Sequence, residues 1–471
     1  MRNTLISVLI TSAVLSSGIS FAQDNAATSP DDILLGAEGE DVVSSVDADN
    51  AQLNSSDSDP DLTVESLADS ISAAYQRNPS ILAQRKIRMI ADERLSQAHA
   101  LKRPQVSVSS SAGYAISRNG RTAFADFEAP QTTFGLEVRQ SLWNGGRNDA
   151  AIGEAAAGVT QAESQLFAFE QDMILNVVTN YMDVLASEAE VDIRKNNVSV
   201  LVRQVEAASD RFEVGEVTRT DVAQAQARYS GAKAQLSTAQ ANLVANRAVF
   251  QELVGRWPTQ LEAVNFTPDY PEGLDDAINA AMEYNPDLVA SKASVKASEQ
   301  RLRSAKGQNR PDISIVGAAG LSQTYQDDTF NNENASVVAQ LTLPLYTGGR
   351  ISSQIRASAL ERDQLRLQHR AAERSVLVQV TRAWHSALAS QRTIEASQQQ
   401  VEAAQIAFDG AEQELAVGLR TTLDLLDQEQ ELLDAQLALV QANRTHYIAV
   451  HQLLAAMGAL TPESLGVNLS L

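Results

Sequence analysis

The spacing of apolar positions along this 471-residue chain changes from helical to alternating and back again, and it does so twice. From Pro79 the pattern is helical, with proline where a first turn accepts it, and it runs to about Lys102 before Pro104 stops it. Then the period becomes two. Val106, Val108, Ala112, Tyr114 and Ile116 share one face; Ser107, Ser109, Ser111 and Ser117 share the other. The stretch from Ser117 to Thr133 reads as a loop. After it Phe134, Leu136, Val138 and Leu142 alternate with Thr133, Glu137, Arg139 and Ser141. The second half repeats this with Ile313, Ile315, Ala319 and Leu321, then Val337, Ala339, Leu341, Leu343 and Leu345. Segments of about ten residues, apolar on one side and polar on the other, suit the strands of a membrane β-barrel. A half-buried soluble sheet has the same pattern, and both readings stand at this level.

Beyond each pair of strands the helical period returns and persists. Asn148 to Phe212 contains no proline, and apolar residues recur at Leu166, Phe169, Met173, Val177, Tyr181 and Val184, then Leu201, Val205, Ala208 and Phe212. At 1.5 Å per residue this helix is roughly 100 Å long. Gly215 ends it, and Thr218 or Thr220 starts a return helix reaching Leu253. The return helix (about 35 residues) and the helix before the strands (about 23) cover roughly 87 Å end to end. Each half is therefore expected to lay two shorter helices beside one long helix and cap them with a two-stranded hairpin. A helix of that length with an apolar stripe and abundant alanine is a coiled-coil element.

Punctuation residues show that the halves are copies. Asn78-Pro79 and Arg103-Pro104 recur 207 positions later as Asn285-Pro286 and Arg310-Pro311. Gly145-Gly146-Arg147, Val214-Gly215 and Gly255 recur 203 positions later as Gly348-Gly349-Arg350, Val417-Gly418 and Gly458. The four-residue difference falls in the Ser117–Thr133 loop. The hexamers LWNGGR (142–147) and LYTGGR (345–350) mark where strand must become helix. Paired glycines permit that backbone change, and Trp143 and Tyr346 suit a membrane interface. The changes between strand and helix are thus assigned to Pro104, Gly145 and Gly146, and to Pro311, Gly348 and Gly349. The expected organisation is a first repeat over 62–258, a linker over 259–273, a second repeat over 274–460 and a tail over 461–471.

Composition adds an address. Residues 1–22 read as a signal peptide: Arg2, then the apolar run Leu5 to Leu15, then Ser20-Phe21-Ala22 as a cleavage site. Residues 23–61 carry no Lys or Arg and many acids, and read as an acidic disordered leader. There is no cysteine, so neither disulfides nor a lipidated cysteine are available. No later apolar run is long enough for a membrane helix. A net charge of −22 argues against nucleic acid as a partner. His99, His369, His385, His446 and His451 are scattered, and no nucleophile, phosphate-loop or dinucleotide motif accompanies them. No catalytic residue, cofactor or metal site is expected.

The ordered set of NP, RP, strand hairpin, GGR, long helix, VG turn and return helix, written twice, resembles the TolC-type outer-membrane efflux family. The closest stretches are VGLRTTLDLLDQEQELLDAQLAL (417–439) and VGEVTRTDVAQAQARY (214–229), which look like that family's two periplasmic tips. The resemblance covers roughly Leu62 to Leu460. It implies a mainly α fold with a transmembrane β-barrel portion: a homotrimer with a 12-stranded barrel in the outer membrane, continued by an α-helical barrel in the periplasm. It also implies a passive exit duct for multidrug efflux or type I protein secretion. The implied partners are a periplasmic adaptor, an inner-membrane transporter of the RND, MFS or ABC type, and outer-membrane lipid. From the strands alone, four per chain are fewer than the eight a membrane barrel needs, so subunits must combine, and a dimer would satisfy that count as well. A soluble periplasmic coiled-coil scaffold or adaptor is the rival reading; it leaves the duplicated amphipathic strands unused.

Asp424 and Asp427 lie one helical turn apart after the second tip and would form stacked carboxylate rings on a symmetry axis, which select cations. Thr421-x-x-Asp424 is also a capping box, as is Thr218-x-x-Asp221, and both roles can coexist. Asp427 has no capping explanation, and Gln224 replaces it in the first repeat. By resemblance, Arg420 tethers neighbouring helices in the closed state, with Thr220 and Asp221 belonging to the same gate. Also by resemblance, Val214, Gly215, Val417, Gly418 and Leu419 meet the adaptor. Leu415 stands where the family's type member has a tyrosine, which removes one hydrogen-bonding group from the gate.

Overall fold

The computed structural model describes residues 64–117, 127–264, 268–325 and 329–465. All of these belong to the unit Leu62–Leu471. The expected signal peptide and acidic leader, the tip of the first strand hairpin and the tail beyond 465 lie outside the described residues.

Each repeat runs helix, helix, strand, strand, long helix, return helix. The first comprises α1 (Leu67–Arg77), α2 (Pro79–Ala100), β1 (Gln105–Ser117), β2 (Phe127–Trp143), α3 (Arg147–Glu213) and α4 (Arg219–Val254). The second comprises α5 (Leu274–Tyr284), α6 (Pro286–Gly307), β3 (Asp312–Tyr325), β4 (Thr329–Thr342), α7 (Arg350–Ala416) and α8 (Thr422–Met457). The long helices have 67 residues each, and the pairs that stack beside them have 22 and 36. The expected lengths hold. The short helices α1 and α5 are additional to the expected elements: each spans only three turns, so although Leu67, Ile71, Ala74 and Tyr75 share one face of α1, the pattern is short enough to pass for part of a connection.

The Asn-Pro pairs explain how two helices stay end to end. Asn78 closes α1, and its side chain accepts from Ser80 N at 2.9 Å to cap α2, whose first residue is Pro79. The same amide donates to Leu253 O at 3.0 Å, at the end of α4. Asn285 repeats this, capping α6 and donating to Ala456 O at 2.9 Å, near the end of α8. One side chain thus starts a helix and pins it to the end of another. Apolar burial does the rest. Ile71, Ile81, Ile174, Val177, Tyr181 and Phe250 form a core among α1, α2, α3 and α4, while Ala277, Leu288, Val380 and Leu453 join α5, α6, α7 and α8. Tyr181 is fully buried, and its hydroxyl is shared between the carbonyls of Glu65 and Glu262 at 2.9 and 2.8 Å.

The four strands form one antiparallel sheet in the order β1-β2-β3-β4. Two expectations need correcting here. Residues 127–133 are strand and not loop: the hairpin pairs on to Ser117↔Phe127, so the ladder continues through Pro130 and the polar run Gln131 to Thr133, where the alternation of the sequence is lost. Leu343 and Leu345 lie beyond β4, which ends at Thr342. Pro344 occupies the place that Ser141 holds in β2, and it has no N–H to give a ladder. β2 instead reaches Trp143 through a bulge at Ser141.

Pro104 and Pro311 stand immediately before β1 and β3. Gly145, Gly146, Gly348 and Gly349 all have positive φ, between β2 and α3 and between β4 and α7. At Gly145 the requirement is double: a Cβ there would lie 2.5 Å from Gly307 O, so the turn also allows close approach of α6. Arg147 follows and pairs with Asp312 at the start of β3, joining the two repeats at the base of the sheet.

Candidate functional site

Directly paired residues in an antiparallel sheet point to the same side. The register therefore gathers Val106, Val108, Tyr114 and Ile116 of β1 with Val138, Leu136 and Phe134 of β2. Leu321, Ala319, Ile315 and Ile313 of β3 and Ala335, Val337, Ala339 and Leu341 of β4 extend the same face. The opposite face carries Ser107, Ser109, Glu137 and Arg139, then Ser322, Ser336 and Asn334. The apolar face is bare in the single chain: Val106 is 64% exposed, Tyr114 63% and Val337 81%. Its outer strands have 13 and 14 residues, and the far edge of each is unpaired. A long open sheet with an uncovered apolar face is a sector of a closed barrel in a membrane. No described helix is long and apolar enough to cross a membrane.

At the far end of the long helices lie the two tips. Gly215 turns α3 into α4 with φ 78°, and Gly418 turns α7 into α8 with φ 76°. In each, the backbone folds back on the departing helix: Glu216 N donates to Arg211 O at 2.9 Å, and Leu419 N to Glu414 O at 2.8 Å. The apex residues are apolar and bare: Val214 and Val417 are each 71% exposed and Leu419 is 77%.

Both capping boxes are present. Thr218 N and Oγ1 donate to Asp221 Oδ2, each at 2.8 Å, while Asp221 N donates back to Thr218 Oγ1 at 3.3 Å. Thr421 and Asp424 repeat the arrangement at 3.0, 2.7 and 3.2 Å. These hydrogen bonds from threonine hold both aspartates below the usual carboxylate range, with the Arg420 charge adding to the effect at Asp424. Arg420 itself pairs with Glu414 of α7. Thr220 is exposed, one residue before Asp221.

Asp427 does not stand free. Its Oδ1 meets Arg228 of α4 at 3.0 Å, an ion pair joining the second hairpin to the first. Sequence reasoning passed over Arg228, which lies in a run of alternating Ala and polar residues. It also passed over Glu429, which is 5% exposed and accepts from Asn197 of α3 at 2.9 Å. A signal for Glu429 was available. Thr422, Leu425, Leu426, Glu429, Leu432 and Leu433 form the buried stripe of α8, so a carboxylate sits at an apolar position of the helical period.

A membrane-barrel sector on a helical stalk with charged tips defines a class, and comparison with known proteins gives the family. The sequence profile of the family described as "Outer membrane efflux protein" matches residues 70–256 and 277–459. Outer membrane efflux protein BepC of Brucella suis is 32% identical over 86% of this chain and 88% of its own length. Outer membrane protein TolC of Escherichia coli is 26% identical over 85% of this chain and 84% of its own. The crystal structure of the outer membrane protein VceC from Vibrio cholerae shares the fold, with a TM-score of 0.74 at 23% identity over 83% of this chain and 96% of that one. The chain belongs to the outer membrane efflux protein family. It is an outer-membrane exit duct of a tripartite export system, with a large helical part in the periplasm. The family is a transport channel that works as trimers with a periplasmic adaptor and an inner-membrane pump.

Proposed function

We propose that this chain forms a homotrimer whose narrow periplasmic end is gated at the second tip by Arg420, Asp424 and Asp427, with Asp221 and Thr220 of the first tip beside them. Val214, Gly215, Val417, Gly418 and Leu419 meet the adaptor, and the inner-membrane partner is an RND, MFS or ABC transporter. Three copies of the four-stranded sheet close a 12-stranded barrel, with Tyr114, Ile116, Phe134 and Leu136 toward lipid and Ser107, Ser109, Glu137 and Arg139 toward the lumen. Multidrug efflux is the leading duty and type I secretion a second.

The observation that carries the gate reading is the Arg228–Asp427 ion pair. It ties the two hairpins close to their ends, where opening must part them. Like charges gathered on an axis need a neighbouring cation to coexist, and Arg228 supplies one for each Asp427. Single-channel recordings test the assignment. Asp427→Ala is expected to weaken block by trivalent cations and lower cation selectivity, and Arg420→Ser to raise conductance. If Asp427→Ala leaves both block and selectivity unchanged while Asp221→Ala abolishes them, the gate belongs to the first tip.

A further inference from the structure

The joint between the two hairpins holds a carboxyl group that the gate reading does not use. Within each hairpin the helices pack along their length, and α8 packs more extensively on α7 than on α3. The contact of α8 with α3 and, near the tip, with α4 is the seam between the two hairpins. Near the tips it is closed by Leu426, buried among Leu201, Ala225 and Ala232, and by the Arg228–Asp427 pair; higher up, Arg444 pairs with Asp183. Glu429 lies in this seam. Its Oε1 accepts from Asn197 Nδ2, while its Oε2 is buried with no hydrogen-bond partner. An unpaired buried oxygen is tolerable on a neutral carboxyl and costly on a carboxylate.

We infer that Glu429 is a proton-operated positioning residue of the entrance: neutral, it lets α8 seat against α3, and ionised, it drives the second hairpin off the first. This rests on the gate reading above. The surroundings fit the role. A groove of about 460 Å³ beside Glu429, lined by Asn197, Gln224, Arg228, Gln235 and Gln430, gives protons a path from solvent. Arg203 of α3 favours the ionised form, as the least of the causes acting on Glu429, and Arg228 of α4, which lines the groove, is committed to Asp427. On α7 the apolar residues packed on this part of α8 are Val401, Ala404 and Phe408, and no α7 charge is among the causes that set the Glu429 carboxyl. Burial therefore dominates and pushes the Glu429 carboxyl from an ordinary 4.5 up to about 7. At the 203-position offset the first repeat has Gln226, a neutral group of the same shape, so the device exists in the second hairpin alone.

The sign follows from linkage. A raised carboxyl favours the closed seam when protonated, and an opened, hydrated Glu429 titrates near 4.5. The closed-to-open ratio is then level below about 4.5, falls by up to tenfold per pH unit toward about 7, and is level again above it. The test is conductance of the purified full-length protein in planar bilayers between about pH 4.5 and 8. Wild type is expected to open progressively as pH rises. Glu429→Gln should hold the low-pH level throughout, and Asn197→Ala should move the midpoint to higher pH, because the lost hydrogen bond favours the ionised form. A wild-type pH profile in Glu429→Gln overturns the inference. So does an unmoved midpoint in Asn197→Ala, which serves if the glutamine variant fails to insert. Arg420→Ser and Asp427→Ala in the same recordings keep the two ideas apart. If they alter conductance while Glu429→Gln keeps the wild-type profile, the gate stands and the latch fails; if they alter nothing, the gate reading itself fails.

Discussion

At the first tip Gly215 turns with φ 78° and Thr218 caps the return helix with Asp221; at the second Gly418 turns with φ 76° and Thr421 caps with Asp424. The backbones are copies. The side chains that face across the seam are not. At the 203-position offset Asp427 corresponds to Gln224, Arg228 to Glu431 and Glu429 to Gln226. Duplication kept the residues that fix φ, cap helices and end strands, since each is demanded by its own local backbone. It released the residues whose partner is the sister repeat, because two copies that meet side by side contribute different faces to one joint. Arg228 and Asp427 are a pair made from two positions that are unlike in their own duplicates.

The same contrast appears at the far end of the return helices and predicts the largest effect. Gly255 and Gly458 both end their helices with positive φ, 85° and 76°. Around Gly255 there is open space, whereas a Cβ at Gly458 would sit 2.4 Å from Tyr284 O, where α5 hands over to α6. Gly255→Ala should cost about 1–2 kcal/mol of left-handed strain. Gly458→Ala should cost about 3 kcal/mol or more, since the clash is with backbone that cannot swing aside. Thermal unfolding of the two variants side by side measures this. Equal losses would mean that the repeats end alike and that the Asn285 junction is no tighter than the Asn78 one.

Legibility in the sequence follows the same division. The Asn-Pro, Arg-Pro, Gly-Gly-Arg and Val-Gly marks, the long helices and the sheet's apolar face were readable, because each has a local cause within a few residues. The capping boxes were readable too, as spacing alone defines them. Arg228, Asn197 and Glu429 were not read, because their meaning lies in which helix of the other hairpin they meet. The sequence shows β2 only in part, because Pro130 and the polar run Gln131 to Thr133 break the alternation in its outer part, and it overstates β4, because the leucines around Pro344 keep an alternating pattern past the strand's end.

The seam pair predicts an intermediate effect on function and a small one on stability. Arg228 and Asp427 are about half exposed, with side chains 44% and 54% accessible, so solvent screens their attraction. A double-mutant cycle of Arg228→Ala and Asp427→Ala should return a coupling of about 0.2–1 kcal/mol in unfolding. In conductance the two single variants should act in the same direction, since either one cuts the same tie. Opposite directions would show that Arg228 has no part in holding the entrance and that Asp427 acts on passing ions alone.

The smallest expected difference is between the caps themselves. Thr218→Ala and Thr421→Ala each remove a hydroxyl that accepts from the backbone N–H of the aspartate three residues on and donates to its carboxylate. Each should cost about 1 kcal/mol, and the two losses should agree within a few tenths, because the geometries are superimposable in kind and both sites are exposed. The pH dependence should match as well. Both aspartates are held below the usual carboxylate range, so the cap's contribution is present above that range and is lost as pH falls through the lowered value. Local helix stability at the two tips, followed by hydrogen exchange of the first turns of α4 and α8, reads the caps without the rest of the molecule. A markedly larger loss at Thr421 would mean that Asp424, freed from its threonine, is pulled toward Arg420, and that the second tip has diverged in its cap as well as in its seam.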